Sequence, residues 1–599
     1  MAPQLKISQN LIDKLGQVKS ESAACLYGIM YDGNLLVVGL KLIHDEIPKV
    51  PISYPTEIDL CGVVGFGSEK DLNDTVIAKI LKEVDITDNP LIINCPIGDS
   101  SGINVYFRVH DRLENTTYEI VSESDIWKQF VHLRLKTRLL LVCDCTAESI
   151  KNSCSALHKK FVSGQVSFHF PKGNVHLMGA DPETGLSGIT GQATVGELTS
   201  DSTIKQVEGS SSRTKNKKTS NTIEILDVDM FWKPTFETAL DDATKHAPII
   251  NHNKKKFKCL QMHLKIDMLS LVYRQTKVVN LYNILIESLC RSLKLNEQSL
   301  LNQITRDDYD DPEDRFNNDL IPSIKLPTPY HFIPKDCGHF ITIFYPKDMP
   351  ESLLENERKI LHILFVLPLN RPMFRQSNAF MFNEDYTFSG KLINPHDGIH
   401  SQVKGGETSL VQGKYVYYHY MQDNFNDDGW GCAYRSLQTL CSWFWFQGYS
   451  TKPVPTHKEI QELLVAIGDK PSSFINSRQW IGSTEVSFYL DTALGIQSRI
   501  INVNSGTEIA SLGPQLSQHF KVHGTPIMIG GGVLAHTIIG VDFNKYTDEI
   551  KFLILDPHFK GSDDVHQVQN KGGCAWKGVD FWKKGAYYNL CLPQLPNFI

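Results

Sequence analysis

The sequence predicts a chain of several domains with mixed secondary structure, in which α/β units precede an α+β domain at the C-terminus. The chain has 599 residues, well beyond the roughly 150 that one domain usually contains. Short apolar runs alternate with polar turns along the N-terminal third, a pattern typical of strands in α/β units. From Cys432 onward the apolar residues recur at helical spacing directly after a polar loop. This change of pattern indicates that a different domain occupies the C-terminal third.

Breaks in composition divide the chain into four segments. Residues 1–190 are predicted to form the first α/β unit, with a helix in the segment DLNDTVIAKILKEV. Residues 191–222 are rich in Ser, Thr and Lys and contain few large apolar side chains, so we expect a flexible linker there. A second α/β unit is predicted over residues 223–400, with a helix at VNLYNILIESLCRSL. The final domain is predicted over residues 411–599.

The overall composition excludes several functional classes. Lys and Arg number 60 against 67 Asp and Glu, and this slightly acidic balance argues against a chain that binds nucleic acid. No apolar run is long enough to span a membrane, and the N-terminus lacks the pattern of a secretory signal. Thirteen cysteines without a C-x-x-C pair indicate reduced thiols. We therefore expect a cytoplasmic chain, although the short basic run at 215–218 leaves the nucleus as a second location.

The segment around Cys432 has the pattern of a thiol nucleophile. An Asp- and Asn-rich loop ends in Gly-Trp-Gly-Cys, and helical spacing begins at once, which places Cys432 in the first turn of a helix. Unpaired backbone N–H groups and the helix dipole stabilise a thiolate at that position. The ring of Trp430 is a candidate wall of a substrate groove. The alternative is a small buried thiol that begins a core helix.

A thiol nucleophile needs a base and a group that orients the base, and two histidines are candidates. His558 lies in KFLILDPHF, where we expect a strand to project Asp556 and His558 from the same face. Pro557 stiffens this pair, because it fixes its own φ angle and keeps the preceding residue extended. His536 lies in an apolar strand of the kind that papain-like enzymes place around their base. Either imidazole could be oriented by Asp556, so the residues alone leave both open.

Other residues are candidates for the walls of the same site. The glycines around Gly531 are not followed by the Gly-Lys-Ser/Thr of a phosphate loop. We therefore predict a bend beside a groove, and we expect no cofactor. A hydroxyl at Tyr420 could donate to a developing oxyanion, although packing is the default role of a tyrosine in a strand. Trp480 is a candidate groove residue, and Ser483 is a predicted N-cap.

Four segments together resemble one enzyme family. GWGCAYRSLQT, TPIMIGGGVLAHTIIGV, LILDPHF and YYNLCLP occur in the order found in the ubiquitin-fold-modifier-specific cysteine proteases. The resemblance covers residues 415–599, and the roughly 400 residues before them favour the larger type of family member. It implies a papain-like domain with Cys432 as nucleophile, His558 as base, Asp556 as its orienting group and Tyr420 as oxyanion donor. It also implies that His536 is a groove residue.

The resemblance extends to substrate, partners and location. It implies cleavage of the modifier precursor after its Val-Gly tail, release of the modifier from conjugated lysines, and a thioester intermediate. It further implies an N-terminal MPN-like domain without a metal site, and recruitment to the cytosolic face of the endoplasmic reticulum by a membrane-anchored adaptor. Two alternatives remain: a scaffold that binds the modifier without cleaving it, and an acyl transferase that uses the same thiol.

Overall fold

The chain divides into two compact units, residues 1–368 and residues 369–599. A computed structural model describes residues 2–67, 75–110, 112–144, 146–199, 223–233, 260–304, 324–334, 337–369, 373–401, 403–450 and 452–596.

The first unit begins with a mixed sheet of eight strands. Leu5 and Ile7 of its first strand are buried together with apolar residues from the neighbouring strands, so this face of the sheet forms one core. In spatial order the strands are Arg112–Asn115, Asn104–Val109, Leu91–Cys95, Asp59–Phe66, Ser22–Tyr31, Asn34–Leu42, Gln4–Ser8 and Tyr118–Val121. The helices of this region are Gln9–Leu15, Thr75–Lys82 and Glu123–Gln129.

A six-stranded sheet follows in the same unit, and it joins segments from both sides of the predicted linker. Strand Ile225–Trp232 pairs with Val166–Phe170 and with Phe130–Cys143, so residues before 191 and after 222 share one sheet and one core. This differs from the separate α/β units that composition predicted, because long-range strand pairing leaves no compositional trace. Residues 200–222 of the predicted linker lie outside the described residues, whereas Val195–Thr199 is helical.

The remaining elements of the first unit complete its second core. Helix Leu281–Ile304, which sequence periodicity predicts in part, packs its apolar side chains against the six-stranded sheet. In spatial order the six strands are Leu186–Ser187, Val175–Leu177, Val166–Phe170, Ile225–Trp232, Phe130–Cys143 and Leu260–Tyr273. A three-stranded sheet contains Pro327–Phe332, Ile341–Pro346 and Ile52–Ser53, and the other helices are Ala147–Val162, Val195–Thr199 and Glu355–Leu364.

The second unit is built on an antiparallel sheet of seven strands. Every pairing in this sheet is antiparallel, and its apolar face packs against the helices of the unit. In spatial order the strands are Ser498–Val503, Tyr588–Pro593, Ile527–Gly531, Leu534–Phe543, Ile550–Leu555 and Cys574–Lys577, with Glu407–Leu410 paired to Leu534–Phe543. The helices are Cys432–Phe446, His457–Ala466, Ser483–Leu494, Gly513–Val522 and Val565–Asn570, and a short hairpin joins Thr387–Phe388 to Lys391–Leu392.

Helix Cys432–Phe446 is the central helix of the second unit. It contacts strands Ile527–Gly531 and Leu534–Phe543 on one side and helix Ser483–Leu494 on another. Every residue from 433 to 444 is buried, so the helix is covered all round and not only on the face that periodicity predicts. A helix enclosed in this way holds its first residue, Cys432, in a constant position relative to the sheet.

Two further findings concern both units, within the residues that the structure describes. Within the described residues, no helix combines the length and apolar character needed to cross a membrane. The eleven cysteines that the structure describes are all free thiols.

Candidate active site

Cys432 is the first residue of helix Cys432–Phe446, as the sequence predicts. No side chain caps this helix, so its first backbone N–H groups remain available to a negative charge. The preceding residue must be small, because a Cβ atom at Gly431 would lie 2.5 Å from the Cβ atom of Asp427. Cys432 is partly exposed although it packs against the core, and it can therefore meet a substrate.

Asp556, Pro557 and His558 form a turn and not the strand that we expected. Strand Ile550–Leu555 ends one residue earlier, because the backbone N–H of His558 bonds to the side chain of Asp556 at 3.0 Å and not to a neighbouring strand. The imidazole Nδ1 of His558 lies 2.7 Å from the same oxygen, Oδ1 of Asp556. The predicted pairing of these side chains is therefore present, but turn geometry produces it instead of strand alternation.

The His558 imidazole and the Cys432 thiol influence each other strongly. Burial lowers the pKa of His558, but the hydrogen bond to Asp556, the nearby Cys432 thiol and the charges of both raise it from 6.5 to about 9. Burial likewise raises the pKa of the Cys432 thiol, yet the nearby imidazole of His558 and its charge bring it below its ordinary value. Nε2 of His558 is buried and has no hydrogen-bond partner among the described residues, so it is available to a proton from the thiol or the substrate. Each group therefore favours the charged form of the other, a thiolate beside an imidazolium.

His536, the other candidate base, lies behind His558. His536 is 7 % exposed, and its ring contacts the edge of the His558 ring, with 5.1 Å between the ring centroids. Nε2 of His536 is 3.7 Å from Oδ1 of Asp556. Burial lowers the pKa of His536 to about 4, so this imidazole is neutral near pH 7. The structure thus places His558, and not His536, against the sulfur.

Tyr420 joins the site through both its backbone and its ring. Its N–H donates to the carbonyl of Pro557 at 2.9 Å, which ties the Tyr420 segment to the turn that contains His558. The ring of Tyr420 meets the His558 ring edge-on, with 5.3 Å between the ring centroids. Burial raises the pKa of Tyr420 well above 10, and the charge and hydrogen bond of Cys432 raise it further, so the hydroxyl keeps its proton. It therefore remains able to donate a hydrogen bond, and it lowers the pKa of the Cys432 thiol.

The predicted groove residues have different environments. The ring of Trp430 is only 7 % exposed and packs among Phe425, Tyr434 and His457, so packing and not a groove wall accounts for it. Trp480, in contrast, is 56 % exposed and is free to contact a substrate.

Gly531 and Ser483 both have a packing role. A Cβ atom at Gly531 would lie 2.3 Å from the carbonyl oxygen of Tyr587, so close backbone approach explains the glycine. Ser483 is the first helical residue and not the N-cap, a position held by Gly482. The hydroxyl of Ser483 instead donates to the side chain of Asn589 at 2.8 Å.

Sequence reasoning missed a buried charge cluster next to the site. The carboxylate of Asp427 is fully buried, and Nε of Arg435 donates to it at 2.5 Å. Nε2 of His457 lies 3.2 Å from the same carboxylate. The available signal was the three charged residues within NDDGWGCAYR, which are Asp427, Asp428 and Arg435. A buried charge requires a partner, and only the folded chain shows that Asp427 has two.

One group of side chains in the described part of the chain offers ligands for a metal ion. His536, Asp556 and His558 each provide a ligand atom, and these atoms all lie within 4.8 Å of one another. The hydrogen bond between Asp556 and His558 already accounts for their proximity, and the Cys432 thiol lies close enough to His558 to raise the pKa of its imidazole. The arrangement can therefore perform nucleophilic chemistry with a thiolate, a proton carrier and hydroxyl and amide donors.

Comparison with known proteins places this geometry in context. Three family models match the chain: Peptidase family C78 over residues 406–591, the insect UFM1-specific protease N-terminal MPN-like domain over residues 1–126, and Ubiquitin-fold modifier 1 specific protease 2, N-terminal, over residues 151–387. These matches confirm the predicted fold class, a cysteine protease domain preceded by an MPN-like domain.

Individual relatives align over most or all of the chain. A probable Ufm1-specific protease 2 of Drosophila melanogaster is 38% identical over 622 residues, which cover 100% of both chains. The Ufm1-specific protease 2 of Homo sapiens is 40% identical over 465 residues, 76% of this chain and 93% of its own. The crystal structure of UfSP from C. elegans superposes with a TM-score of 0.67 over 100% of both chains at 24% identity, which shows a shared fold.

Proposed function

Because this chain belongs to the Ufm1-specific proteases, a family of cysteine-type peptidases, we propose that it cleaves the C-terminal tail of the Ufm1 precursor and removes Ufm1 from conjugated lysines. One observation supports the proposal most directly. Cys432 begins a helix and lies against His558, whose Nδ1 is held by Asp556 at 2.7 Å. A thiol, an imidazole and a carboxylate in this order are the groups that thiol acyl chemistry needs.

In the proposed reaction the thiolate of Cys432 attacks the carbonyl carbon of the last glycine of Ufm1. The bond to the amine or peptide nitrogen breaks, and the imidazolium of His558 gives its proton to that leaving nitrogen. A thioester forms between Cys432 and Ufm1. Water then attacks the thioester, the neutral His558 takes one of its protons, and the thiolate leaves with the pair restored.

Asp556 and Tyr420 have supporting roles in this proposal. Asp556 holds the ring of His558 through Nδ1, which leaves Nε2 directed at the sulfur and at the leaving nitrogen. The protonated hydroxyl of Tyr420 donates to the oxyanion that develops on the carbonyl oxygen, together with the backbone N–H of Cys432. His536 is as buried as Trp430, so we propose that it is a neutral packing residue behind His558 and not the groove residue that the resemblance implies; its low basicity favours His558 as the proton carrier.

The proposed groove accepts the small Val-Gly tail of the modifier. Trp480 is its best-supported wall, because more than half of its surface is exposed. Recruitment to the endoplasmic reticulum by a membrane-anchored adaptor, with the cytoplasm as compartment, stays a prediction that only the family resemblance supports.

The test is reaction of the full chain with Ufm1 that carries an electrophilic trap at its C-terminal glycine, in parallel with ubiquitin that carries the same trap. Mass mapping should find an adduct at Cys432 with Ufm1 and little or none with ubiquitin. Cys432→Ala is the matched control and should form no adduct, although it should still bind Ufm1. If the unmodified chain binds Ufm1 without forming an adduct, the protease proposal is wrong and the scaffold function replaces it.

A further inference from the structure

Tyr420 and Cys432 lie at the two ends of one loop, so the shape of this loop sets the position of the hydroxyl relative to the thiol. Three non-glycine residues of the loop have left-handed backbone conformations: Met421, Asp423 and Asn424 have φ angles of 64°, 59° and 55°. Such conformations cost about 1 kcal/mol or more per residue, and they persist only where surrounding contacts hold them. The loop therefore needs an anchor.

Asp427 makes contacts with both ends of the loop. Its Oδ1 accepts the N–H of Met421, the residue after Tyr420, at 2.9 Å. Its backbone carbonyl accepts the N–H of Gly431, the residue before Cys432, at 2.9 Å. The side chain of one buried residue thus holds the Tyr420 end, and its main chain holds the Cys432 end.

Arg435 and His457 hold the Asp427 carboxylate in turn. Nε of Arg435 donates to Oδ2 at 2.5 Å, and the same guanidinium donates to the carbonyl of Gln422 at 3.0 Å. Burial raises the pKa of Asp427, but the adjacent His457 ring and the hydrogen-bonded Arg435 guanidinium lower it to about 2, so the carboxylate stays ionised. Arg435 lies less than one helical turn after Cys432, so the anchor is attached to the helix that presents the thiol.

We propose that Asp427 is a positioning residue for the reaction, because its two carboxylate oxygens connect the Arg435 guanidinium to the Met421 backbone and so set the Tyr420 hydroxyl against the Cys432 sulfur. This inference rests on the proposed function, in which Tyr420 is the oxyanion donor. Asp427 itself makes no hydrogen bond to the Cys432 thiol, the His558 ring or the Tyr420 hydroxyl.

Asp427→Asn tests this role with almost no change of shape. The carboxamide has one acceptor oxygen, whereas Asp427 serves Arg435 and Met421 through two. The charged Arg435 guanidinium competes for the remaining oxygen better than the neutral N–H of Met421 does, because hydrogen bonds to ionised groups are stronger. The NH2 group then faces the N–H of Met421, donor against donor, and displaces the Tyr420 segment.

The first expected result is kinetic. Tyr420→Phe should lower kcat for tail cleavage by about a hundredfold. Asp427→Asn should lower it by about tenfold to a hundredfold with little change in KM. The double variant should be no slower than Tyr420→Phe alone, because both substitutions remove the same interaction. Losses that multiply in the double variant would overturn the inference.

The second measurement needs no protein substrate. The hydroxyl of Tyr420 helps to lower the pKa of the Cys432 thiol. The quantity to measure is the pH at which iodoacetamide alkylates Cys432 at half its maximal rate. This pH should rise in both single variants, and it should rise no further in the double variant. If that pH rises in Tyr420→Phe and not in Asp427→Asn, the proposed positioning is wrong. If Tyr420→Phe leaves kcat unchanged, its oxyanion role fails, and the alkylation comparison still decides the role of Asp427.

A second variant covers poor folding of Asp427→Asn. Arg435→Lys keeps a positive charge near the carboxylate but lacks the planar group that bonds Asp427 and Gln422 together. When Arg435→Lys is combined with Tyr420→Phe, kcat should be no lower than in Tyr420→Phe alone. Losses of kcat that multiply in the double variant would again overturn the inference. Asp548→Asn, in an exposed turn of positive φ that Asn tolerates, is the matched control and should keep full activity.

Discussion

The proton affinity of His558 provides the most demanding test of the site, and Asp556→Asn is the perturbation. Burial opposes the charge of the imidazole, yet Asp556 and Cys432 raise the pKa of His558 from 6.5 to about 9. This rise corresponds to about 3 kcal/mol in favour of the imidazolium, at about 1.4 kcal/mol for each pH unit. Asp556 supplies the largest of the raising contributions, through a hydrogen bond of 2.7 Å.

The assay is the pH dependence of kcat/KM for Ufm1 tail cleavage, since its limbs report the free enzyme. In the unmodified chain the rate should fall as pH rises through about 9, where His558 loses the proton that the leaving nitrogen needs. In Asp556→Asn this alkaline limb should move down by about one pH unit or more, because the neutral amide no longer favours the imidazolium. Asp548→Asn should leave it in place. An alkaline limb at the same pH in Asp556→Asn and the unmodified chain would refute this account of the pair.

Three further outcomes are expected. His558→Ala should abolish tail cleavage while His536→Ala retains a measurable fraction, and the opposite ranking in a steady-state assay would reverse the assignment of the base. Burial lowers the pKa of His536 from 6.5 to about 4 in the folded chain. Below pH 6.5 the unfolded chain therefore binds this proton more readily than the folded chain does, and the folded chain loses stability as the pH falls. Between pH 7 and pH 5, the free energy of unfolding measured in urea should therefore fall by about 2 kcal/mol more in the unmodified chain than in His536→Gln. Equal losses in the two chains would contradict the burial argument. Gly431→Ala should lower kcat, because its Cβ atom would lie 2.5 Å from the Cβ atom of Asp427. Gly429→Ala should cost only about 1 kcal/mol of stability, because its φ angle is 80° but no atom lies within 4 Å of the added Cβ. Comparable kcat losses in the two glycine variants would show that the contact with Asp427 is unimportant.

Some features of the site follow from short stretches of sequence. The helix that begins at Cys432 is predictable, because a polar loop followed at once by helical spacing is a local pattern. The pairing of Asp556 with His558 is predictable as well, since Pro557 restricts the backbone between them. The strand that we expected there is not observed, because the side chain of Asp556 captures the N–H of His558 in a turn.

Other features depend on contacts between distant segments. Trp430 could be assigned to a groove or to the core only after the positions of Phe425, Tyr434 and His457 were known. The choice between His536 and His558 depends in the same way on burial, which sequence does not report. Strand pairing across the predicted linker, with Ile225–Trp232 between two earlier strands, also has no local signature.

The sequence by itself determined the fold class, the family and the identities of the thiol, the carboxylate and the two candidate imidazoles, because these depend on residue type, short spacing and motif order. Only the tertiary structure decided which imidazole meets the sulfur. It also decided that Asp427 and Arg435, which read as ordinary loop and helix charges, are buried together beneath the site. The physical reason is that desolvation and charge pairing depend on what surrounds a group in space, and for these residues the surroundings come from the fold as a whole.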